Sequence, residues 1–327
     1  MNLTELEHRI FNIDQVHEFN DIALKIFQFQ YTHNPVYRAF VDFQVTNISK
    51  IEHYSQIPFL PIEFFKTHQI ICEGYNPQIT FESSGTTGNQ ASRHHIARVK
   101  IYEESFLKGF ELFYGKPSEF IFLALLPAYL ERTGSSLVYM VDQLIRKSDH
   151  PSSNFFLNNL SELKSILVQK HNRKVILIGV SFALLDLAEQ FELEIPGVIV
   201  METGGMKGRR KEMIRVELHQ KLKEHLNIPV VHSEYGMTEL LSQAYSKRDG
   251  IFNCPPWMKI LIRDMNDPKT IMNKQQTGGI NVIDLANIYS CSFIATQDLG
   301  KMHADGSFEV LGRFDNSDIR GCNLMVV

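Results

Sequence analysis

Ile79-Thr80-Phe81-Glu82-Ser83-Ser84-Gly85-Thr86-Thr87-Gly88-Asn89-Gln90-Ala91-Ser92 is the stretch that decides the reading of this chain. A short β-prone run ends at Phe81, and residues with almost no bulk follow. Gly85 and Gly88 allow backbone conformations closed to other residues, so successive N–H groups can point into one concavity. The hydroxyls of Ser83, Ser84, Thr86 and Thr87 add donors around it. This is the composition of a loop that wraps a phosphate. It is not a Walker A loop, because Gln90 and Ala91 stand where the lysine would be. Read alone, an ordinary polar turn between a strand and a helix accounts for it equally well.

Around this loop the chain alternates short apolar runs with amphipathic stretches. The spacing predicts strands at 119–126, 174–179, 198–201 and 228–231. Helices are expected at 101–114, 135–146, 159–171, 182–191 and 208–226. That alternation signals an α/β sheet with helices on its faces, whose ligands sit at the carboxyl ends of the strands. The loops after Phe81, Met201 and Val231 would then converge on one crevice. Upstream, 4–32 reads as a helix with Asp14 as a possible cap. A second helical piece around Tyr37–Phe43 follows Asn34-Pro35, and an extended connection runs from Ile57 to Phe65. Beyond about Ile251 the texture changes to short strands between turn residues, at 258–263, 279–284, 292–294 and 307–311. The expected division is 1–75, a helical segment packing on the core; 76–250, the α/β nucleotide-binding core; 251–312, a β-rich subdomain; and 313–327, a short tail.

Bulk properties exclude some classes. The 327 residues are 44% hydrophobic, enough for a sizeable core, with 33 basic against 37 acidic residues and a net charge of -4. A general nucleic-acid binder would carry a basic excess, so no nucleic-acid partner is expected. Cys72, Cys254, Cys291 and Cys322 lie far apart with no C-x-x-C pair, which argues against a zinc site and fits a reducing, cytoplasmic location. No signal peptide and no membrane span are expected, since the longest apolar run, 120–126, is far too short.

Three further motifs follow the loop in order: Tyr235-Gly236-Met237-Thr238-Glu239, then Thr296-Gln297-Asp298, then Gly312-Arg313-Phe314-Asp315. SSGTTG, YGMTE, T-x-D and GR-x-D in this sequence resemble the adenylate-forming superfamily of acyl-CoA synthetases, firefly luciferase and peptide-synthetase adenylation domains. The resemblance implies the large N-terminal domain of that fold, layered α/β sheets plus a small β-rich subdomain. It implies ATP and Mg2+ as cofactors. Ser83, Ser84, Gly85, Thr86, Thr87 and Gly88 would hold the β- and γ-phosphates. Thr238 would touch phosphate and Glu239 would serve the metal. Gly204 and Gly205 would lie along the adenine, with Tyr235 and Gly236 beside it. Asp298 would hold the ribose hydroxyls and Arg313 approach the same ribose.

Each residue also has a plainer reading. Glu239 suits an N-terminal helix acid favoured by the dipole, Glu202-Thr203-Gly204-Gly205 a strand-to-helix turn, and Tyr235 a buried core tyrosine. Asp298 and Arg313 suit solvated turn residues, and His232 a core histidine beside an acyl pocket. His94 and His95 lack metal-ligand spacing. Arg93 is the nearest cation to the loop, in partial place of the lysine that many members carry.

Members of full length continue past GR-x-D into a mobile C-terminal domain with a catalytic lysine; here only 313–327 follow, so that domain is expected to be lacking. SSGTTG followed by Ser92-Arg93-His94, together with the ending RGCNLMV, resembles the short LuxE-like acyl-protein synthetases. That branch implies a fatty, long-chain carboxylic acid as substrate and transfer to a protein cysteine, here Cys322, near Arg320. An acyl-accepting protein or reductase would be the partner. Three other readings stay open. One is a ligase passing its acyl group to coenzyme A or a carrier protein. Another is an ATP-independent serine acyltransferase built on Gly179-Val180-Ser181-Phe182-Ala183, where Ser181 as a helix cap is the plainer explanation. The last is a non-catalytic nucleotide-binding subunit.

Overall fold

A computed structural model of the chain describes residues 2–83, 90–126, 134–157, 159–204 and 213–314. Ser84–Gly88, Gly205 and Cys322 therefore lie outside the described residues.

The chain opens with α1 (Leu3–Ile10), α2 (Val16–His33) and α3 (Pro35–Gln44). The first two were expected as one helix. The chain breaks between them because Glu18 turns back, its Oε2 accepting from the N–H groups of Asp14 and Gln15 at 3.1 Å each. That is a capping box with Gln15, not Asp14, at the N-cap. Asn34 starts α3 by accepting from the Tyr37 N–H, with Pro35 following at the position where a missing N–H costs nothing. The same Asn34 is wholly buried and its Nδ2 donates to Ser290 O at 3.0 Å. Gln30 likewise donates to the carbonyls of Asn287 and Ile288 and accepts from Ser292 N. The polar ties of this N-terminal layer thus run to residues far along the chain.

Next come β1 (Leu60–Pro61) and α4 (Phe64–Thr67), then β2 (Ile79–Glu82) and β3 (Arg93–Ile96), which pair antiparallel across the loop. The sequence reading had no strand at β3, since Arg93-His94-His95-Ile96 lacks β-branched apolar residues before its end. The pairing with β2 and the burial of His94 decide it. α5 (Val99–Tyr114) leads to the main sheet.

That sheet takes β4 (Phe120–Leu125), α6 (Ser136–Ser148), β5 (Asn154–Phe156), α7 (Leu160–Leu167), β6 (Lys174–Val180), α8 (Ser181–Gln190), β7 (Val198–Thr203), α9 (Arg215–Leu226), β8 (Val231–Tyr235) and β9 (Ala244–Ser246). The order is β5-β4-β6-β7-β8-β9, parallel except for β9. Every residue of β4 and all but the first of β6 are buried, as strands covered by helices on both faces require. On α6, Met140, Val141, Leu144 and Ser148 form the buried stripe, and Ser148 Oγ donates to Phe120 O at 2.6 Å, fixing the helix end to the start of β4.

Two boundaries differ from expectation. α9 begins at Arg215, since Met213 and Ile214 are not helical. β8 begins where its predicted strand ended, at Val231. Asn227 closes α9 in the left-handed conformation, and Pro229 has no N–H to give a ladder.

The second sheet is antiparallel: β10 (Ile251–Phe252), β11 (Met258–Arg263), β12 (Thr277–Asp284), β13 (Phe293–Met302) and β14 (Phe308–Arg313), ordered β10-β14-β13-β12-β11. β1 adds to β13 in parallel, Leu60 opposite Ile294. Thr296-Gln297-Asp298, read as a turn, lies inside β13, a strand ten residues long. The chain is an α/β protein, with two sheets meeting along the carboxyl ends of β7 and β8.

Candidate functional site

β8 ends at Tyr235, and the sheet geometry aims its side chain at the second sheet. Its hydroxyl donates to Asp298 Oδ2 at 2.8 Å. Asp298 and Arg313 face each other across β13 and β14, and Arg313 Nε donates to Asp298 Oδ1 at 3.1 Å. Asp298 is only 6% exposed, whereas the Arg313 side chain is 77% exposed. The carboxylate is thus held by two donors while each oxygen keeps a lone pair for a further donor. The Tyr235 ring sits edge-on to Phe252 and Phe308, centroids 6.0 and 5.6 Å away, as a buried core tyrosine does. Sequence reasoning had placed Asp298 and Arg313 at one ribose and Tyr235 at the adenine; the three form one hydrogen-bonded cluster.

Thr238 and Glu239 follow in a turn, with no helix behind them, so the dipole explanation for Glu239 falls away. His94 and Asn287 fix this turn. His94 Nδ1 donates to Thr238 O at 2.8 Å, its Nε2 lies 2.9 Å from Asn287 Oδ1, and Asn287 Nδ2 donates to Glu239 O at 2.8 Å. Burial pushes the His94 pKa down to about 4, and the ring braces the turn. Asp284 holds the next residues, accepting from the N–H groups of Leu241 and Ser242 at 2.7 and 3.0 Å. The Glu239 carboxyl is 5% exposed and hydrogen-bonded to Ser92. Burial raises its pKa, and Arg313 and Asp298 are near enough to act on it in opposite directions. A buried carboxylate with no ion pair among the described residues suits a cation ligand. Among the described residues, however, no group of three or more His, Cys, Asp or Glu side chains gathers as a metal cage.

Beneath the turn are two carboxyls in different states. Glu202, in β7, is pushed up by burial, but the hydrogen bond of His219 and the charge of Arg215 outweigh that and hold its pKa low. Arg215 Nε lies 3.0 Å from its Oε1, and Arg215 Nη1 reaches Val310 O in the other sheet at 2.8 Å. Glu234, in β8, accepts from the Thr203 hydroxyl, and burial raises its pKa to about 7. A Cβ on Gly236 would collide with the Glu234 carboxyl, which explains a glycine there. Gly204 takes φ +68°, the left-handed region, and its carbonyl accepts from Ser181 Oγ at 2.7 Å. Ser181 therefore neither caps α8, whose cap position is Val180, nor meets a histidine; it braces the β7 turn. His95 Nδ1 lies 2.9 Å from Thr80 Oγ1, and His232 Nδ1 lies 3.1 Å from the Tyr114 hydroxyl, its pKa pushed down to about 4 by burial.

Ser83 is the one phosphate-loop candidate among the described residues; its Oγ accepts from Ser92 N at 2.9 Å, closing the base of the loop. Arg215, His219, Glu234, Asp284 and Asn287 were not singled out from sequence; Glu234 and Asp284 stand at or just past predicted strand ends, while Arg215 and His219 lie inside a predicted helix.

The sequence matches no protein-family model, and no curated protein matches it. Solved structures do match. ATP-bound MatB from Rhodopseudomonas palustris superposes with TM-score 0.55 at 16% identity, covering 72% of this chain and 47% of that one. An ATP-bound RpMatB-BxBclM chimera gives 0.57 at 17%, covering 74% and 49%. A 2-hydroxyisobutyryl-CoA ligase in the postadenylation state with 2-HIB-AMP gives 0.70 at 13%, covering 93% and 69%. The chain spans about half the length of the MatB-type structures. At these identities the likeness is one of fold, and the fold is the layered α/β architecture of adenylate-forming enzymes.

Proposed function

We propose that the protein is an ATP-dependent ligase that activates a carboxylic acid as its acyl-adenylate. A carboxylate oxygen bonds to the α-phosphorus of ATP, the bond from that phosphorus to the bridging oxygen breaks, and pyrophosphate leaves. The observation that carries this is the convergence of Tyr235, Asp298, Arg313 and Glu239 into one cluster at and beyond the carboxyl end of β8. Asp298, buried and still able to accept, suits two vicinal hydroxyls. The exposed Arg313 guanidinium suits an approaching nucleotide. Thr238 and Glu239, fixed by His94 and Asn287, would hold phosphate and Mg2+; the metal would supply charge neutralisation at the phosphates. Ser83 to Gly88 would cradle the β- and γ-phosphates, and Gly204 and Gly205 would flank the adenine. The division at 75, 250 and 312 belongs to the same proposal.

For substrate and acceptor we propose a long-chain fatty acid and a protein thiol, as in LuxE-like acyl-protein synthetases. The thiolate attacks the acyl carbonyl, a thioester forms and AMP leaves. Burial pushes the thiols of Cys254 and Cys291 up to about 12 and that of Cys72 higher still, so none of these three ionises readily. Cys322 is the remaining candidate. A second reading, transfer to coenzyme A or a carrier protein, draws support from a 2-hydroxyisobutyryl-CoA ligase of the same fold in complex with 2-HIB-AMP and CoA. A cytoplasmic location and an acyl-accepting partner complete the reading. Among the described residues no helix is long and apolar enough to cross a membrane.

The test is carboxylate-dependent exchange of labelled pyrophosphate into ATP, over acids from acetate to long-chain fatty acids. Exchange requiring both Mg2+ and an acid is expected. Its absence from folded protein across the whole panel would leave a non-catalytic nucleotide-binding role.

A further inference from the structure

Away from the crevice, a cavity of about 430 Å³ lies between the N-terminal layer and the second sheet. That volume falls within the roughly 300–1,000 Å³ typical of small-molecule sites. Phe40, Val45 and Phe59 wall it on one side, and Met265, Ile271 and Phe314 on the other. Within this apolar lining is one buried cation, Arg263, only 7% exposed. Its guanidinium donates to Ile280 O and Asn281 Oδ1 at 2.7 and 2.8 Å through Nη1, and to Thr296 O through Nη2. All three partners are neutral. Three of its five N–H donors are so engaged; no carboxylate among the described residues lies within ion-pair distance, although the charges of Glu63 and Asp298 favour its charged form. Gly279 lies against one face, where a Cβ would come within 2.6 Å of the guanidinium carbon, and the Phe314 ring centroid is 5.5 Å away. Burial holds its pKa down to about 10, which leaves it charged at neutral pH.

A buried charge with no counter-ion in contact is costly unless an opposite charge meets it. Glu63, the acid whose charge acts most on Arg263, accepts from the Gln297 side-chain amide at 2.5 Å and also lines the cavity. We propose that this cavity binds an organic monocarboxylate with a hydrocarbon chain, its carboxylate on Arg263 and its chain among the aromatic and aliphatic walls. Glu63 disfavours a second negative charge at the same place, which selects a monoanion over a phosphate ester. Lys269, exposed at the lining, attracts the anion on approach. The site adjoins the Asp298 cluster along the strands, since Thr296 and Gln297 precede Asp298 and Phe314 follows Arg313, yet it shares no residue with that cluster. It holds whether or not the chain makes acyl-adenylates.

Isothermal titration of the full chain, without nucleotide, compares decanoate, decyl phosphate and decanol. Decanoate should bind best of the three. Arg263→Gln should weaken decanoate at least tenfold and leave decanol unchanged. Because Arg263 also ties three strands, Val45→Trp, which fills the cavity from an incompletely buried wall, is the second variant. It should weaken decanoate binding at this cavity at least tenfold without changing pyrophosphate exchange, where exchange is present. A photoactivatable diazirine decanoate should label residues within 40–61 or 263–271. No decanoate binding, tighter binding of decyl phosphate, unaltered binding by Val45→Trp, or label confined to other segments would each overturn the proposal.

Discussion

Replacing Glu234 by glutamine should make the protein more stable at alkaline pH, and the size of the gain follows from burial. The carboxyl is largely desolvated, with the Thr203 hydroxyl donating to it and the ionised Glu202 nearby. Its pKa rises from 4.5 to about 7. Between those values the folded state retains a proton that the unfolded chain has released. Stability therefore falls as pH rises from about 4.5, and the loss is complete once pH passes the folded value near 7. At about 1.4 kcal/mol per pKa unit, the penalty above pH 8 is on the order of 3 kcal/mol. Glutamine keeps an oxygen for Thr203 and cannot ionise, so it removes the penalty and its pH dependence together. An unfolding entropy of about 2.1 cal/mol/K per residue, over the whole chain, converts 3 kcal/mol to about 4 °C in Tm. The assay is thermal and urea unfolding of both proteins from pH 4.5 to 8.5. The stability difference between variant and wild type should grow by about 3 kcal/mol across that range. A difference that stays flat with pH would show that Glu234 does not carry the buried proton.

Other consequences are equally direct. Glu239→Gln should lower pyrophosphate exchange by on the order of 10²-fold or more, with unfolding curves unchanged, by analogy with lost electrostatic contacts to a transition state. Arg215→Met strips the buried Glu202 of its cation and cuts the tie to Val310 O; since the arginine side chain is 28% exposed, the cost should be about 2 kcal/mol in urea unfolding, below that of a fully buried pair. Cys322→Ser should remove a hydroxylamine-sensitive label left by ATP and a radioactive fatty acid, while pyrophosphate exchange persists; a label that survives moves the acceptor elsewhere.

The sequence reading recovered elements whose patterns are local. The continuous apolar runs of β4 and β6 and the stripe of α6 were visible because burial on two faces or one leaves its mark in order. Asp298 was found by its motif, but its setting was misjudged. A charged residue between Gln297 and Leu299 looks like a turn, and only Tyr235 and Arg313, from β8 and β14, make it tolerable inside a strand. β3 was missed for the same reason: His94 is buried by virtue of Thr238 and Asn287, partners more than a hundred residues away. Glu18 ended one helix and began another through its own side chain, a choice that helical periodicity does not record. What stayed hidden were pairings of polar groups distant in sequence, which leave no periodic trace.

The pairing of β1 with β13 has a consequence for synthesis. Leu60 meets Ile294, so 294 − 60 = 234 residues must be made after the first strand before its partner exists. At roughly 5–20 residues per second that is about 10–50 s. Throughout this interval Tyr37, which stacks on Phe293, and Gln30, which bonds to Ser292, have no native surface to meet. Helices α2 and α3 thus emerge from the ribosome as an apolar layer whose native partners are made only tens of seconds later.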